Sequence, residues 1–323
     1  CDEWVTHPVL VVQRDTFANF FHDSEDFVNA FLALAILEWK LGDTQMYLTD
    51  LYPEGPFWEM WRQAFSQGSD KPVRTAWDLK NDFGANPKNS KGKEHRVCFK
   101  NLAVGIYGPA APITVASWNT PCSNTALVKA YADFVIRGMG LQSYTHYAQQ
   151  TPSKVVTITY MSRRASTVWP EKKFCSDENS FFLCKLWDHF GIRSLGRMIR
   201  NDAEVVTALK SLEGETFTNG AVVKLSEVDF NLLSFPEQIK HDLKTDIMVG
   251  PHGAGLMHNI FMRSRATLVE LFIDGSGVNR HFHNLAHWSG HAYRGETMPN
   301  PVDTTKLLGI MRHVIESTNL HQY

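Results

Sequence analysis

The chain has 323 residues, a formal net charge of −2, 43% hydrophobic residues and 20% charged residues. That length accommodates two α/β domains of ordinary size, and the balanced charge excludes the basic surface by which proteins bind nucleic acid or anionic membranes. The longest apolar run, Phe27 to Trp39, contains Asn29 and Glu38. It is shorter than the ~20 residues of a membrane-spanning helix, so it predicts a buried helix.

The first half of the chain predicts strands that alternate with helices. Apolar runs bounded by turn residues predict strands, and apolar residues at helical spacing behind a polar cap predict helices. The predicted strands are Pro8 to Gln13, Gln45 to Leu48 and Val97 to Ile106. The predicted helices are Asp23 or Ser24 to Trp39, Pro56 to Phe65 and Ala126 to Met139.

The second half alternates more regularly, after a polar stretch at 142–154 that we interpret as the link between two domains, 1–146 and 147–323. The predicted strands are Val155 to Met161, Ala221 to Leu225, Ile247 to Val249 and Thr267 to Ile273. The predicted helices are Asp202 to Leu212, Pro236 to Leu243, Leu256 to Met262, Val278 to Trp288 and Thr304 to Glu316. Strands separated by helices favour parallel sheets, so the predicted fold class is α/β, with two Rossmann-like lobes facing a cleft.

A glycine-rich turn, Gly250-Pro-His-Gly-Ala-Gly-Leu256, joins a predicted strand to a predicted helix. Glycines let the backbone approach a ligand closely, and the unpaired amides at a helix start favour an anion. The strand that follows carries one acid, Glu270, near its end. A strand, a glycine turn, a helix and a strand with an acid at its tip often form a nucleotide site. The alternative is a turn made tight by packing alone.

Two pairs of arginines offer positive charge to the phosphates of such a nucleotide. Arg163 and Arg164 follow the predicted strand that ends at Met161, at the edge where α/β sheets bind ligands. Guanidinium groups bond phosphate oxygens in a bidentate manner. Arg197 and Arg200 precede the next predicted helix and would add to the same positive site. A solvated basic turn and ordinary helix-entry charges are the alternatives.

A polar segment after the first strand holds a candidate base. His22 lies where the chain enters the first predicted helix, and Asp26, four residues later, is placed to orient an imidazole. Asn19 is a secondary candidate in the same segment. The alternative is a capping region, in which the acids satisfy the helix N-terminus.

No metal site is predicted. His281, His283, His287 and His291 include pairs at i,i+4 spacing, but no carboxylate or sulfur lies close to them in the sequence, so we expect histidines on a helix surface. The sequence has no D-x-D triplet, no G-x-S-x-G elbow and no phosphate-binding loop of the GxxxxGK type. A mechanism without metal or other cofactor is therefore expected.

Three blocks of the sequence carry a resemblance to a known family. They are Asn19-Phe-Phe-His22 with Asp26, Tyr160-Met-Ser-Arg-Arg164, and Val249-Gly-Pro-His-Gly-Ala-Gly-Leu256 with Val269-Glu-Leu-Phe272. Their order and spacing resemble glycosyltransferase family 61 along nearly the whole chain. Pro251 departs from the family, in which a small residue such as Ala is common, and it removes one backbone N–H from the turn.

The resemblance implies a GT-B-like fold and an inverting transfer of a sugar from a UDP-sugar to an acceptor hydroxyl. It implies that His22 is the base, oriented by Asp26, on the acceptor side of the cleft. Arginines and backbone amides would hold the diphosphate without a metal. The expected nucleotide-sugar ligands are Arg163, Arg164, His252, Gly253, Ala254, Gly255, Leu256 and Glu270, the last of them on the ribose hydroxyls. Arg197, Arg200 and His258 are secondary candidates.

The opening Cys1-Asp-Glu-Trp-Val5, the segment from Phe17 to His22 and Cys98-Phe99 further resemble the plant-type β-1,2-xylosyltransferase branch, which acts on N-glycan cores. That branch implies xylose as the sugar, a glycan acceptor and a Golgi or ER lumen location. It also implies a type II membrane anchor ahead of Cys1. UDP-GlcNAc-dependent transfer to proteins or O-glycans and a non-catalytic glycan-binding protein are the alternatives, since a few side chains in one pocket decide the donor.

The five cysteines are Cys1, Cys98, Cys122, Cys175 and Cys184. None lies in a C-x-x-C pair, which disfavours a structural zinc site. The lumen location that the resemblance implies permits disulfides. We expect Cys98–Cys122 and Cys175–Cys184 as the pairs, with Cys1 left over.

Overall fold

The computed structural model describes residues 1–84, 95–142, 154–163, 198–273, 279–318 and 320. Within these residues the chain forms two compact units, which we call the first unit (1–114) and the second unit (from residue 115 onward). Each unit contains its own parallel sheet with helices, so the predicted α/β class is confirmed.

The first unit is built on a four-stranded parallel sheet with the order β4-β3-β2-β6. The strands are β2 (Val9–Val12), β3 (Gln45–Leu48), β4 (Arg74–Thr75) and β6 (Leu102–Val104). A separate parallel pair consists of β1 (Glu3–Val5) and β5 (Val97–Phe99). The helices are α1 (Phe20–Ile36) and α2 (Ala76–Gly84), and a π-helical turn spans Met60–Ala64. The central strands β2 and β3 are almost wholly buried, as expected for parallel strands covered on both faces.

The second unit is built on a five-stranded parallel sheet with the order β11-β10-β9-β7-β8. The strands are β7 (Val155–Met161), β8 (Val222–Val228), β9 (Ile247–Pro251), β10 (Thr267–Ile273) and β11 (Ala292–Met298). The helices are α3 (Ala126–Gly138), α4 (Asp202–Ser211), α5 (Phe235–Asp242), α6 (His281–Ser289) and α7 (Thr304–Ser317). One apolar cluster, which includes Val156, Ile158, Val249 and Leu271, joins the sheet to α4 and α7.

Each sheet has one point at which the strand order reverses. In the first sheet the chain moves from β2 outward to β3 and β4 and then returns to the other side of β2 with β6. In the second sheet it moves from β7 to β8 and returns to the other side of β7 with β9. Open α/β sheets bind ligands outside the carboxyl ends of their strands at such a switch point. The topology therefore selects two edges, β2/β6 and β9/β7, as candidate sites.

The boundary between the units differs from the predicted link at 142–154. Helix α3 belongs to the second unit, because the turn that leads into it is bonded to the end of α6. The N–H groups of Asn124 and Thr125 donate to the carbonyls of His287 and Trp288, at 2.9 and 2.7 Å. The sequence did not indicate this boundary, because the polar stretch at 142–154 lies after α3, whereas the second unit begins before α3.

Several elements begin or end differently from the prediction. Helix α1 starts at Phe20 rather than at Asp23 or Ser24, because the Asn19 side chain caps it by accepting the Phe21 N–H at 3.2 Å. The predicted helix Leu256 to Met262 is a 3-10 helix, Ala254–Phe261. The predicted strand Val97 to Ile106 is two strands, β5 and β6, that pair in different sheets. The prediction missed α2 and β11, both rich in polar residues.

The disulfide among the described residues differs from the predicted pairing. Cys98 is bonded to Cys1, with 5.8 Å between the Cα atoms, and Cys122 is a free, exposed cysteine. The cause is the parallel pairing of β1 with β5, which brings Cys98 opposite Trp4. A disulfide was expected and one is present, but Cys98–Cys122 is wrong. The predicted pair Cys175–Cys184 lies outside the described residues.

Among the described residues, no helix combines the length and the apolar character that crossing a membrane requires.

Candidate functional site

The carboxyl ends of β7 and β9 lie against each other at the switch point of the second sheet. Tyr160 on β7 pairs with Val249 on β9, and both strands end one or two residues later. A side-chain carbon at Gly250 would lie 3.0 Å from Met161 Cβ, and one at Gly255 would lie 2.3 Å from Met161 Cε. The absence of side chains at these two glycines is what lets the turn after β9 pack onto the end of β7.

Arg163 lies beside this turn. A side-chain carbon at Gly253 would come within 3.0 Å of Arg163 Nη1, so the guanidinium lies directly over the glycine. The structure thus brings together two of the predicted phosphate ligands, which are 90 residues apart in the sequence. A guanidinium next to a glycine turn suits a phosphate group, because it supplies charge and forked N–H donors beside a residue that has no side chain.

The structure does not place the other predicted arginines beside the turn after β9. Arg164 and Arg197 lie outside the described residues. Arg200 is exposed, and its backbone N–H and Nη1 donate to the side-chain oxygen and the carbonyl of Asn300, at 2.8 and 3.3 Å. Arg200 therefore supports the loop that contains Asn300.

The 3-10 geometry after Gly253 limits the number of amides that face a ligand. Ala254 is the first residue of this helix, and the Leu256 N–H donates to the Gly253 carbonyl at 2.9 Å. The Leu256 side chain is fully buried. Leu256 is therefore a packing residue, and the expectation that its amide holds a diphosphate is wrong. Gly253, Ala254 and Gly255 remain predictions as backbone ligands.

His252 follows β9 and is buried against β10. Its Nδ1 donates to Glu270 Oε1, and the Tyr293 hydroxyl donates to Glu270 Oε2 at 2.7 Å. Asn279 Nδ2 donates to His252 Nε2 at 3.1 Å. The ring also stacks on Phe272, with 5.5 Å between the centroids. These contacts fix the orientation of the imidazole at the rim of the switch point.

Glu270 does not have the predicted role. Its side chain is completely buried, and both oxygens accept hydrogen bonds from protein groups, His252 and Tyr293. A ribose hydroxyl would have to displace one of them. The carboxylate instead holds His252, and it raises the pKa of Tyr293 above its ordinary value together with burial, which is the larger cause. The expected contact between Glu270 and a ribose is therefore wrong.

His258 is an interior residue. Its Nδ1 contacts Asp242 Oδ2 at 2.6 Å, and its ring lies 4.3 Å from the ring of Phe230. Burial raises the pKa of Asp242 to about 6, and the adjacent His258 opposes that shift. The secondary prediction that His258 contacts a ligand is wrong, because only 2% of its side chain is exposed.

The switch point of the first sheet carries a cluster of His22, Glu25 and Asp15, which we call the His22 cluster. His22 Nδ1 lies 2.8 Å from Glu25 Oε2 and 3.4 Å from Asp15 Oδ2. The His22 side chain is 42% exposed, whereas that of Glu25 is completely buried. The hydrogen bond to Glu25 is the largest cause that raises the pKa of His22, and the charges of Glu25 and Asp15 act in the same direction against desolvation.

A buried carboxylate behind a half-exposed imidazole is an arrangement suited to general base catalysis. Glu25 Oε1 also accepts a hydrogen bond from the Thr114 hydroxyl at 2.6 Å, so both of its oxygens are fixed. With Nδ1 directed at Glu25, Nε2 is the nitrogen that would take a proton from a ligand. The hydrogen bond to Glu25 raises the pKa of the His22 imidazole, which makes it a stronger proton acceptor.

Asp26 is not the partner of His22. Its Oδ2 accepts the backbone N–H of Asp15 at 2.7 Å, and its Oδ1 has no hydrogen-bond partner among the described residues. Burial raises the pKa of Asp26 to about 8, so this carboxyl group is mostly protonated at pH 7. The predicted role in orienting the imidazole is wrong because Asp26 is turned into the interior, one residue along the helix from the residue that makes the contact.

Sequence reasoning missed Glu25, Asp15 and Thr114. Glu25 has a local signal, since positions i and i+3 face each other on a helix and Glu25 is three residues after His22. Asp15 and Thr114 had none, because they reach the cluster through the sheet topology. Asn19 is the helix cap, as described above, and this accounts for its polar side chain.

The His22 cluster is also the group of described residues whose ligand atoms, all within 4.8 Å of one another, could hold a metal ion. Two carboxylates and an imidazole are a common donor set for zinc or a related cation. The histidines of α6 are arranged differently. His283 and His287 stack with 5.7 Å between ring centroids, and His287 is exposed. His291 is buried, contrary to the expectation of a surface residue, and burial lowers its pKa to about 4.

Comparisons with known proteins show which family and which solved structure this chain is similar to. Residues 191–269 match the family described as Glycosyltransferase 61, a region that includes the turn after β9. A solved structure, E. coli heptosyltransferase WaaC with ADP, matches 96% of this chain and 100% of that chain at 11% identity and a TM-score of 0.36. That similarity is too low to support an argument.

Relatives extend the similarity beyond the matched region. The EGF domain-specific O-linked N-acetylglucosamine transferase of Drosophila melanogaster is 25% identical over 84% of this chain and 42% of that protein. Its Bos taurus counterpart is 25% identical over 91% and 45%. The Beta-1,2-xylosyltransferase of Arabidopsis thaliana is 21% identical over 93% and 53%. The chain thus spans about half the length of these relatives. Residues 191–269 are thus similar to glycosyltransferase family 61, and most of the chain is similar to glycosyltransferases of plants and animals.

Proposed function

We propose that the protein is an inverting glycosyltransferase that moves a sugar from a UDP-sugar to an acceptor hydroxyl. The observation that carries the proposal is the position of Arg163 over Gly253 at the switch point of the second sheet. A diphosphate needs positive charge next to backbone amides, and at this edge the Arg163 guanidinium lies over a glycine that has no side chain to keep a phosphate away. The proposal assigns the donor to the second unit, and the acceptor and the base to the first unit.

The proposed step is a single displacement at the anomeric carbon. The acceptor oxygen forms a bond to that carbon while the bond to the β-phosphate oxygen breaks, and UDP leaves with the electron pair. His22 Nε2 takes the acceptor proton, and Glu25 stabilises the imidazolium that forms. Arg163 and the amides of the turn stabilise the charge that develops on the leaving UDP.

We further propose that this step needs no metal ion. Arg163 supplies the positive charge that a bound cation would otherwise provide, and His22 Nδ1 is already engaged by Glu25 Oε2 at 2.8 Å. Turnover should therefore persist in excess EDTA. Activity that is lost in EDTA and restored by manganese would contradict the proposal, and would identify Asp15, His22 and Glu25 as the first ligands to test.

The donor and the acceptor are proposed as UDP-xylose and an N-glycan core. Support comes from the similarity to the Arabidopsis thaliana Beta-1,2-xylosyltransferase, which covers 93% of this chain. A Golgi location is part of this proposal, and the Cys1–Cys98 disulfide supports it because such bonds persist in oxidising compartments.

Transfer of GlcNAc to a protein hydroxyl is the second candidate. It is favoured by the relatives named for EGF domain-specific O-linked N-acetylglucosamine transfer, which are slightly more identical to this chain, at 25% against 21%. A non-catalytic glycan-binding protein is the third alternative.

A donor and acceptor matrix separates the three candidates. UDP release would be measured with UDP-xylose and UDP-GlcNAc, each with a free N-glycan core and with a folded EGF module. Turnover with UDP-xylose and the glycan supports the first candidate, and turnover with UDP-GlcNAc and the module replaces it with the second. Glycan binding without UDP release from either donor would contradict transferase activity.

A further inference from the structure

A pocket in the first unit offers a second recognition surface at the carboxyl edge of its sheet. It lies beyond the last residues of β3 and β4, Leu48 and Thr75, and three aromatic side chains line it: Tyr52, Trp58 and Trp77. It is distinct from the turn after β9, which belongs to the second unit.

Arg14 holds one wall of this pocket in place. It is 5% exposed, and its Nη2 donates to Asp50 Oδ1 at 2.7 Å and to the Tyr52 carbonyl at 2.9 Å. The guanidinium carbon lies 5.6 Å from the Trp58 ring centroid and 5.9 Å from that of Tyr52. A buried cation packed against two aromatic rings fixes both rings before any ligand arrives, which reduces the entropy lost on binding.

A further part of the lining is an exposed aromatic side chain on α2. Trp77 is 66% exposed, although it is among the largest apolar side chains of the protein. The ammonium of Lys80 lies 5.5 Å from the centroid of its ring. Glu54, which also lines the pocket, is exposed as well. The pocket therefore combines aromatic faces with a carboxylate at its rim.

This combination fits a sugar ring. An aromatic face carries partial negative charge and attracts the C–H groups on one face of a pyranose, while a carboxylate accepts hydrogen bonds from hydroxyl groups. We propose that this pocket binds a saccharide unit of the acceptor, with Trp77 as the main stacking platform. The inference rests on the proposed function, and it specifies the acceptor class as a glycan rather than a polypeptide hydroxyl.

The pocket adjoins the His22 cluster through one hydrogen bond. The Tyr52 hydroxyl donates to the backbone carbonyl of Asp15 at 3.2 Å, and Asp15 Oδ2 lies 3.4 Å from His22 Nδ1. Tyr52 therefore connects the pocket to the His22 cluster, and a glycan that extends from the pocket along Tyr52 would approach the candidate base.

The proposal is tested by binding, without the need for turnover. Calorimetry with a free N-glycan core oligosaccharide would compare the unmodified protein with Trp77→Ala and Trp77→Tyr. We expect Trp77→Ala to weaken the glycan affinity on the order of 10-fold, a common effect of removing a central aromatic anchor. Trp77→Tyr should restore most of the affinity because it keeps an aromatic face. The UDP affinity of all variants should be unchanged, which also shows that they are folded.

Trp4→Ala is the matched control, because Trp4 is 56% exposed in the same unit and does not line the pocket. It should leave the glycan affinity unchanged. Equal losses in Trp4→Ala and Trp77→Ala, or an unchanged affinity in Trp77→Ala, would overturn the proposal. A folded, sugar-free EGF module that is glycosylated equally well by the Trp77→Ala variant would overturn it too, while leaving the transferase intact. Glycan binding that depends on Trp77, in a protein without UDP release, would keep the pocket and reject the proposed function.

Discussion

At the switch point of the first sheet the candidate site consists of an imidazole and two carboxylates, whereas at the switch point of the second sheet it consists of a guanidinium and glycine backbone. The two sheets share the same kind of parallel topology, so the fold does not cause this difference. The loops cause it: the first sheet presents side chains from the start of α1, and the second presents mainly backbone from the turn after β9. A proton acceptor needs a titratable side chain, and a phosphate needs fixed positive charge with an open backbone.

The substitution with the largest expected effect removes the His22 imidazole at the switch point of the first sheet. His22→Ala should lower turnover by about 10²- to 10⁴-fold, the usual contribution of a general base, with UDP affinity unchanged. His95→Ala is the matched control, because His95 also pairs with a glutamate, Glu3, at 3.1 Å in the first unit. Steady-state kinetics and UDP calorimetry measure both effects. Near-normal turnover in folded His22→Ala would remove the residue from the mechanism.

A second test loosens the first unit and leaves the second unit unchanged. Cys98→Ser should lower the free energy of unfolding by about 2–5 kcal/mol, as is typical of a lost native disulfide. Cys122→Ser should have almost no effect, because Cys122 is exposed and free. Denaturant unfolding measures the loss, and UDP affinity below the unfolding midpoint should stay the same. Equal destabilisation by both substitutions would contradict the Cys1–Cys98 bond.

A third test removes the Arg163 guanidinium at the switch point of the second sheet. Arg163→Ala should weaken UDP binding by about 1.5–3 kcal/mol, the value of a charge-assisted hydrogen bond. Arg200→Ala is the control, since the Arg200 guanidinium donates to the Asn300 carbonyl. Calorimetry with UDP distinguishes them. If Arg200→Ala lost more affinity than Arg163→Ala, the diphosphate would have to lie elsewhere.

The smallest expected effect concerns how kcat/KM depends on pH through His22. A base works only when deprotonated, so kcat/KM should rise with pH through the raised pKa of His22. Glu25 raises that pKa by stabilising the imidazolium, so Glu25→Gln should shift the rise to lower pH and also reduce the maximal rate. Asp26→Asn should leave the position of the rise nearly unchanged. A shift in Asp26→Asn that equals the one in Glu25→Gln would restore Asp26 as the partner.

The sequence allowed most of the second unit to be predicted and less of the first. Strands β7 and β10 match their predicted bounds, because each is an uninterrupted apolar run between polar turns. Strand β11 was missed because its exposed, polar residues do not form such a run. In the first unit, the pairing of β1 with β5 joins segments more than 90 residues apart. Because local sequence patterns carry no information about such a distant pairing, neither the Cys1–Cys98 disulfide nor the break between β5 and β6 was predicted.

At the candidate sites, the sequence indicated which residue types are present more reliably than it indicated which groups they contact. It selected His22 and Arg163 as candidates from their residue types and their positions after predicted strands, which is local information, and their roles remain predictions. It assigned Asp26 and Glu270 the wrong contacts because a contact depends on which way a side chain is turned. For Asp26 the error was one residue along a helix, and for Glu270 it was the presence of Tyr293 on the neighbouring strand β11 and of His252 in the turn after β9.

The pair of His252 and Glu270 has a consequence for the hydrogen positions at the second edge. A buried carboxylate can only accept, so His252 Nδ1 must carry a hydrogen, and the donor amide of Asn279 requires a lone pair on Nε2. The imidazole is thereby restricted to a single tautomer, with its basic nitrogen turned away from the acid. An asparagine side chain can reproduce the Nδ1 donor, whereas glutamine reproduces the Nε2 position. His252→Asn should therefore preserve the contact to Glu270 that His252→Gln loses, and nitrogen NMR of the unmodified ring should report one tautomer.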